Sequence, residues 1–277
     1  MDYTDKEVKI FKEFEKKGWE KVANEYHELW GKLTNSAALK MLDLLDFNKG
    51  DKLLDLATGS GYVAIEAHKR GVNVVGLDIS PNQIELAKSI TPKIDYVIGD
   101  MEHLSFNDQS FEYVTINLGL LHSLQPELII NECYRVLKPG GKLLFTVWSE
   151  PDTSIGMKIL LDAIEAHGDT NVNLPKSQPY YRFSNKNEVQ SLLQTSGFKL
   201  ELFKEIKLLW EFNGDNASDK LFQSFLRGAV RTTALLKKQS KINLNKIRKF
   251  MLGRVLKFKD NKQVKIPMSV TLTIGAK

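Results

Sequence analysis

Apolar side chains recur along the first fifty residues at spacings of three and four, which is the period of an amphipathic helix. One run of this kind contains Trp19, Val22, Tyr26, Leu29 and Leu33, and a second contains Ala37, Ala38, Met41, Leu42 and Leu45. The polar stretch NKGD at 48–51 ends the second run, as turn residues do between elements. The pattern therefore predicts two N-terminal helices ahead of a first strand.

From residue 52 onward, short apolar runs alternate with helical patterns. Strands are predicted at KLLDLA (52–57), VNVVGLD (72–78), IDYVIGD (94–100), FEYVTIN (111–117) and KLLFTVW (142–148). Helices are predicted near 61–70, from Pro81 with Ser80 as the N-cap, and over 125–137. Near-continuous apolar strands that alternate with helices are typical of a parallel sheet buried on both faces.

The regular alternation stops at Glu150. Further helices are predicted over 154–168, from Asn185 with Glu188 in its capping box, and over 217–258. The segments FKLELFKEIKLLWEF (198–212) and PMSVTLTIGAK (267–277) supply two more strands. The predicted fold class is therefore α/β, Rossmann-like and doubly wound, with a mostly parallel seven-stranded sheet and helical insertions in its second half.

Composition narrows the class of protein. The 277 residues are 42% hydrophobic and 26% charged, which is ordinary for a soluble globular protein. No apolar run approaches the roughly 20 residues that span a bilayer, and the charged first residues do not resemble a secretory signal. One cysteine, Cys133, makes neither an internal disulfide nor a multi-cysteine zinc site. We expect a cytoplasmic protein with no metal and no integral membrane association; no feature of the sequence specifies an oligomeric state.

Charge is distributed unevenly along the chain. Residues 231–277 contain thirteen Lys and Arg but a single acid, Asp260, within a chain whose net charge is +5. Leu244, Ile247, Met251 and Val255 recur there at helical spacing. Such a helix could lie on an anionic membrane or dock its apolar stripe on the domain. We predict that the stripe packs inward and that the basic residues are solvated.

The stretch LLDLATGSGYVA at 53–64 follows the first strand. Gly59, Gly61 and Ala64 give the spacing G-x-G-x-x-A of a dinucleotide-binding fingerprint. Glycines allow a tight turn and a close approach of backbone to ligand, and the next helix begins with unpaired N–H groups. The spacing alone leaves open a nicotinamide or flavin dinucleotide and any other cofactor that contains adenosine.

Acidic residues at three strand ends help to choose among these cofactors. Asp55 would repel a pyrophosphate but would suit an ammonium group. Asp78, 19 residues after Gly59, lies where an acid accepts hydrogen bonds from ribose hydroxyls. Asp100 would suit the amino group of adenine. Ribose, adenine and an ammonium group without a phosphate describe S-adenosylmethionine, and they argue against a nicotinamide-dependent oxidoreductase.

Four motifs occur in the order of a known family. DLATGSG, GLDISPNQIELA, GDMEHLSFNDQSFEYVTINLGLLH and RVLKPGGKLLFTVW resemble the successive motifs of class I S-adenosylmethionine-dependent methyltransferases, most closely the ubiquinone and menaquinone C-methyltransferases and other small-molecule enzymes. The resemblance is dense over 51–150 and looser over 151–277. We expect one domain over 1–277, in which 1–50 forms helices and a lid, 51–150 is the cofactor-binding half, and the insertions 151–196 and 213–262 cover the substrate site.

The resemblance implies a role for each matching position. The methionine part of the cofactor would be surrounded by Asp55, Thr58, Gly59, Ser60 and Gly61. The ribose and adenine would meet Asp78, Ile79, Gln83, Asp100 and Met101, and the methyl-transfer face would be lined by Asn117 and Leu118. Tyr26 and Trp30 resemble lid residues that fold over the cofactor, although they could equally attach the N-terminal helix to the domain. Glu102 and Asp108 are expected to be solvated loop charges.

The segment NLGLLH places His122 just beyond the fourth strand. Histidine titrates near neutral pH and is the most frequent general base, so His122 is the candidate catalytic residue; capping of a helix or packing on the cofactor is the structural alternative. S-adenosylmethionine would donate a methyl group by in-line displacement and leave as S-adenosylhomocysteine.

The acceptor site is predicted from aromatic residues in the second half. Trp148, Tyr180, Tyr181 and Arg182 would suit a planar small-molecule acceptor, including an anionic one, or would form a small hydrophobic subcore. NLGL replaces the Asn/Asp-Pro-Pro-aromatic motif, which counts against DNA base methylation. An inactive cofactor-binding module and an RNA methyltransferase that uses the basic C-terminal segment are the alternatives, although no recognisable RNA-binding module supports the latter.

Overall fold

A computed structural model describes residues 3–277. Its strands are β1 (Lys52–Leu56), β2 (Asn73–Asp78), β3 (Asp95–Ile98), β4 (Phe111–Asn117), β5 (Leu137–Trp148), β6 (Lys199–Asn213), β7 (Lys259–Asp260) and β8 (Gln263–Ala276). Its helices are α1 (Asp5–Leu42), α2 (Tyr62–Lys69), α3 (Pro81–Ile90), α4 (Pro126–Val136), α5 (Ile155–His167), α6 (Lys186–Thr195), α7 (Ala217–Arg227), α8 (Val230–Lys237) and α9 (Lys241–Val255).

The strands form one sheet in the order β3-β2-β1-β4-β5-β8-β6. The first five of these strands are parallel, whereas β8 runs antiparallel to both of its neighbours. The predicted doubly wound, mostly parallel α/β fold is therefore confirmed, with its seven predicted strands all in this path. The eighth strand, β7, is a two-residue addition that pairs with the start of β8. The strand order reverses at β1, which opens a crevice at the carboxyl ends of β1 and β4, where open α/β sheets bind ligands.

The N-terminal region is a single helix rather than the two that the sequence predicts. α1 begins with a reciprocal capping box between Thr4 and Glu7 and continues for 38 residues. The polar residues between the two apolar runs stay helical. The Thr34 hydroxyl donates to the Gly31 carbonyl, and the Ser36 hydroxyl donates to the Lys32 carbonyl. Side chains bonded back to the preceding turn are compatible with an uninterrupted helix.

The basic C-terminal segment packs as predicted. Ile247, Met251 and Val255 on α9 are fully buried, and they join the hydrophobic cluster that also includes Trp30 of α1. The basic residues Lys246, Arg248, Lys249 and Arg254 are exposed. The helical stretch predicted over 217–258 is divided into α7, α8 and α9. None of the helices within residues 3–277 combines the length and the apolar character that crossing a membrane requires.

Candidate functional site

A cavity lies at the carboxyl ends of β1, β2, β3 and β4, beneath α1. We call it the first cavity. Its walls come from α1, from the loops after those strands and from the start of α3. It is lined by Lys12, Glu15, Trp19, Tyr26, Ala57, Gly59, Leu77, Asp78, Ile79, Gln83, Gly99, Asp100, Met101, Glu102, Asn117, Leu118, Gly119 and His122. Ten residues that the sequence assigns to the cofactor site or to catalysis are among them.

The glycine-rich loop joins β1 to α2. Its Ala57 and Gly59 line this cavity, whereas Ser60 and Gly61, which were also expected at the cofactor, do not. Gly59 and Gly61 have φ values of 55° and 87°, which favour glycine. At Gly61 a Cβ atom would also collide with the Tyr96 hydroxyl. The Ser60 hydroxyl lies 3.0 Å from His27 Nδ1 on α1. The loop is thus fixed by its backbone conformation and by a contact with α1.

Asp78 ends β2 and lines the first cavity. One of its carboxylate oxygens accepts a hydrogen bond from the Gly59 N–H and the other from the Ser80 N–H, both at 2.9 Å. Burial raises the pKa of this carboxyl group, while these two N–H donors act in the opposite direction. Asp78 therefore links the glycine-rich loop to the start of α3, and its carboxylate forms part of the cavity wall.

Gln83 presents an acceptor that has no partner within the described residues. Its side chain is 2% exposed and lines the first cavity, and its Oε1 makes no hydrogen bond. This oxygen is the group nearest to the open side of Gly59, at 3.9 Å from where a Cβ would lie. A buried acceptor without a donor is destabilising. A ligand that carries N–H or O–H donors, as adenosine does, would satisfy it.

Asp55 lies beneath the glycine-rich loop and does not line the cavity. It is 1% exposed, and its two oxygens accept hydrogen bonds from the hydroxyls of Thr58 (2.6 Å) and Thr115 (2.9 Å). Burial raises the pKa of its carboxyl group to about 7. The expected direct contact between Asp55 or Thr58 and an ammonium group is therefore not supported; Asp55 holds the loop from below instead.

The buried Asp55 predicts a specific pH dependence of stability. Because the folded pKa is about 7 against an ordinary value of 3.8, folding favours the protonated form. The resulting stabilisation is present below pH 4 and is lost as pH rises to 7. The free energy of unfolding is measured with urea at pH 4.5 and at pH 7.5. Between these two values it should fall by about 3 kcal/mol more in the wild type than in Asp55→Asn. Asp95→Asn, an exposed control on β3, should behave as the wild type; equal losses in all three proteins would contradict the assignment.

Helix α1 closes the side of the first cavity that follows β3 through an ion-pair cluster. Lys12 Nζ lies 2.7 Å from Asp100 Oδ2 and also pairs with Glu102, which accepts a second bond from the Ser123 hydroxyl. The expectation that Glu102 is solvated is wrong, since this residue is 3% exposed. It is buried because a lysine and a hydroxyl from two other segments satisfy its oxygens. Asp108 is 71% exposed, as expected, and pairs with Arg135.

His122 forms a pair with a carboxylate that the sequence analysis missed. Its Nδ1 lies 2.9 Å from Oε2 of Glu15, a residue of α1 that is 5% exposed. Trp19 donates its indole N–H to the same oxygen and meets the His122 ring edge to face at 5.0 Å. Glu15 lies on the packed face of α1, four residues from the buried Phe11 and four from the partly buried Trp19. An acid within an apolar stripe was the signal that could have identified it.

A second cavity adjoins the first. The two share Glu15, Trp19, Tyr26, Leu118 and His122. The other lining residues are Phe11, Trp30, Leu121, Trp148, Ser177, Gln178, Tyr180, Ala229, Val230, Arg231 and Thr232. Loops from both predicted insertions therefore reach this cavity, and His122 stands at the boundary between the two.

The backbone is strained at this boundary. Leu118 has a φ of 61°, a conformation that non-glycine residues seldom adopt and that is concentrated at functional sites. Its N–H donates to the carbonyl and hydroxyl oxygens of Thr146. The preceding residue, Asn117, accepts from the Thr146 hydroxyl at 2.6 Å and donates to the Thr34 carbonyl. These bonds fix the polypeptide where the two cavities meet.

Several predicted residues lie elsewhere. Trp30 does not reach the first cavity; it is 3% exposed, donates to the Ser224 carbonyl and contacts the Trp210 ring at 4.2 Å. Of the two readings of the sequence, it therefore attaches α1 to the domain, whereas Tyr26 lines both cavities. Trp148 and Tyr180 line the second cavity as expected.

The arginine predicted for the acceptor site is also displaced. Tyr181 and Arg182 line an outer groove, where Arg182 pairs with Glu188 at 2.9 Å. Asn185 caps α6 as predicted, because its side chain accepts from the N–H groups of Asn187 and Glu188. The Glu188 side chain pairs with Arg182 and does not complete the predicted capping box. The arginine that lines the second cavity is Arg231. Within residues 3–277, no group of three or more His, Cys, Asp or Glu side chains is arranged to hold a metal ion.

Comparison with known protein families gives a match for the segment that forms β1 to β5 and for several whole-protein relatives. Residues 54–145 match a family described as a methyltransferase domain. The demethylmenaquinone methyltransferase of Lactobacillus johnsonii is 30% identical over 187 residues, which are 61% of this chain and 76% of that protein. The enzyme of the same name from Paenarthrobacter aurescens is 38% identical over 111 residues, 40% of this chain and 44% of that protein. The match covers 44%, 61% and 46% of the length of the enzymes of this name from Paenarthrobacter aurescens, Renibacterium salmoninarum and Beutenbergia cavernae, so this chain spans about half of those relatives.

Solved structures show the same architecture over a longer range. An S-adenosylmethionine-dependent methyltransferase of Thermotoga maritima superimposes with a TM-score of 0.55 and 15% sequence identity. The match covers 94% of this chain and 99% of that one. At this level of identity the likeness establishes the fold alone, over 94% of this chain.

Proposed function

This chain belongs to the class I S-adenosylmethionine-dependent methyltransferases, in the branch of the demethylmenaquinone methyltransferases, and we propose that it transfers a methyl group from S-adenosylmethionine to a small-molecule acceptor. The first cavity would hold the cofactor and the second would hold the acceptor. The catalytic residue would be His122, which lines both.

The charge of the first cavity is the observation that carries this proposal. Its wall includes the acids Glu15, Asp78, Asp100 and Glu102, while Lys12 is its one Lys or Arg and is already paired with two of them. A pyrophosphate would be repelled by such a wall, whereas a cationic sulfonium ligand would be stabilised. The ambiguity left by the glycine spacing is thus decided in favour of S-adenosylmethionine.

The residues present fit this cofactor. Gly59 leaves room for close approach, and the unpaired Gln83 oxygen and the Asp78 carboxylate can accept from its N–H and O–H groups. Asp100 and Met101 would bound the adenine, while Ile79 would pack beside it. When bound, S-adenosylmethionine supplies a methyl group activated by a sulfonium leaving group. Much of the remaining rate acceleration would come from positioning the acceptor against the methyl group. Well-oriented reacting groups reach effective molarities of about 10⁵ M or more.

His122 would remove a proton from the acceptor. Its Nδ1 lies 2.9 Å from the Glu15 carboxylate, which can only accept; in the neutral ring, an Nδ1–H that donates to Glu15 would leave on Nε2 the lone pair that a base needs. The same pairing holds the His122 ring in place, and the Trp19 ring packs nearly perpendicular to it at 5.0 Å. Leu118 and Asn117 form the rigid boundary across which an in-line displacement would take place.

A small acceptor suits the second cavity better than RNA does. Most of its lining is apolar or aromatic, and Arg231 is its one Lys or Arg. The exposed basic residues of α9 lie on a different surface, where Arg248 pairs with Asp219. We infer that segments 151–196 and 213–262 enclose the acceptor, because Tyr180 and Arg231 are contributed by these two segments.

The test is a methyl-transfer assay that follows S-adenosylhomocysteine formation with a panel of hydroxylated aromatic and quinol acceptors. Acceptor-dependent product should form, and mass spectrometry should show a gain of one methyl group on the acceptor. An RNA panel run in parallel distinguishes the alternative acceptor class. Binding of S-adenosylhomocysteine with no turnover on any acceptor would instead support an inactive cofactor-binding module.

A further inference from the structure

Arg231 is a half-buried guanidinium without a carboxylate partner. It lies in the first turn of α8 and lines the second cavity. Its Nη1 donates to the Pro175 carbonyl at 2.9 Å, and it forms no ion pair with any carboxylate of residues 3–277. By contrast, Arg135 and Arg182 each pair with two acids. Arg231 is thus equipped to bind an anion that the chain itself does not supply.

The electrostatics of the cavity reinforce this point. Burial lowers the pKa of Arg231, because the charged guanidinium is partly removed from water. Glu15 is the acid whose charge opposes this shift, but Glu15 is already bonded to His122 and Trp19. A buried charge is stabilised when it is paired and hydrogen-bonded. An anionic group on a ligand would therefore gain a strong partner here.

The rest of the wall favours a flat ring. Trp30, Trp148, Tyr26 and Tyr180 all line the second cavity, and aromatic side chains bind planar rings by stacking and edge contacts. The first turn of α8 has no side-chain cap, so its N–H groups add partial positive charge beside Arg231.

We propose that the acceptor is a planar aromatic compound with a carboxylate group, which Arg231 binds while the aromatic walls hold the ring. This inference rests on the proposed function and assigns the chemical class of the acceptor. Arg231 and His122 line the same cavity, so a ring anchored by its carboxylate at Arg231 can present its reacting atom on the His122 side.

The test compares two probes of equal shape, 3-hydroxy-2-naphthoate and its neutral amide 3-hydroxy-2-naphthamide. Each is titrated calorimetrically into the full chain saturated with S-adenosylhomocysteine. The wild type should bind the carboxylate about 10-fold or more tightly than the amide, as expected for a charge-assisted contact. Arg231→Gln should lose this preference with unchanged affinity for the amide, and Arg231→Lys should retain part of it. Arg227→Gln, an exposed arginine near the end of α7, is the matched control and should behave as the wild type.

The same titrations separate two kinds of failure. If the wild type binds S-adenosylhomocysteine but not the carboxylate, or binds both probes equally, the acceptor class is wrong while the proposed function stands. A preference that survives in Arg231→Gln, with cofactor affinity intact, would likewise remove Arg231 from acceptor recognition. Failure of the wild type to bind S-adenosylhomocysteine would overturn the proposed function and this inference together.

Discussion

Replacing His122 with alanine should lower kcat about 100-fold or more, because the acceptor loses the base that takes its proton. The cofactor should bind with nearly the same affinity, since Asp78, Asp100 and Gln83 make no hydrogen bond to His122. The measurement pairs steady-state kinetics, on an acceptor from the panel that turns over, with titration of S-adenosylhomocysteine. A loss confined to kcat is the signature of an interaction made during the reaction.

Two further variants make this prediction specific. Glu15→Gln keeps the size of the side chain but weakens the support of Nδ1, so we expect a loss of roughly 10-fold that is smaller than that of His122→Ala. His68→Ala removes an exposed histidine of α2 and should leave kcat unchanged. A His122→Ala enzyme with the full rate would reassign this residue to a structural role.

Replacing Asp78 with asparagine should weaken binding of S-adenosylhomocysteine by about 10- to 100-fold. The N–H and O–H donors of the ligand or of the glycine-rich loop would then lack a charged acceptor. Such a loss costs about 1–3 kcal/mol of binding free energy. The loop itself is also affected, because Asp78 accepts from the N–H groups of Gly59 and Ser80. Calorimetric titration measures the affinity, and circular dichroism with thermal unfolding verifies that the variant is folded.

The control for Asp78→Asn is the same substitution at Asp95, which is exposed at the start of the neighbouring strand β3. Asp95→Asn should bind S-adenosylhomocysteine with wild-type affinity. If a folded Asp78→Asn protein also binds with wild-type affinity, Asp78 does not contact the cofactor, and the first cavity must hold its ligand in a different way.

The strand-end residues of the site were predictable because parallel strands converge at one edge of the sheet. The positions of Asp78, Asp100 and Asn117 follow from where apolar runs stop, and the structure places all three on the first cavity. The same logic predicts the glycine-rich loop. Asp55 lies one residue before the end of β1, which is Leu56. It is therefore still within the sheet and buried, whereas Asp78 and Asn117 are the last residues of their strands.

Contacts between distant segments could not be predicted in this way. Glu15 is 107 residues from His122, and Lys12 is 88 residues from Asp100. No local pattern specifies that α1 crosses the open edge of the sheet. The sequence also predicts two helices where α1 is continuous. The polar residues in the middle of α1 stay helical, with their hydroxyl groups bonded to the preceding turn.

Neighbourhood in the sequence was misleading for the acceptor arginine. Arg182 follows two tyrosines along the chain, yet acids at the surface attract it away from the cavity. Arg231 reaches the cavity because the turn between α7 and α8 brings the first turn of α8 against α1. Which of two arginines faces the ligand depends on this tertiary arrangement, and local propensity does not encode it.

The central claim, that the first cavity binds S-adenosylmethionine rather than a dinucleotide, is tested most directly by titrating the wild-type chain with S-adenosylhomocysteine and, separately, with NADH. The acidic wall predicts saturable binding of S-adenosylhomocysteine to one site and no saturable binding of NADH. Saturable binding of NADH without binding of S-adenosylhomocysteine would contradict the account, because a pyrophosphate would then occupy a cavity walled by four acids.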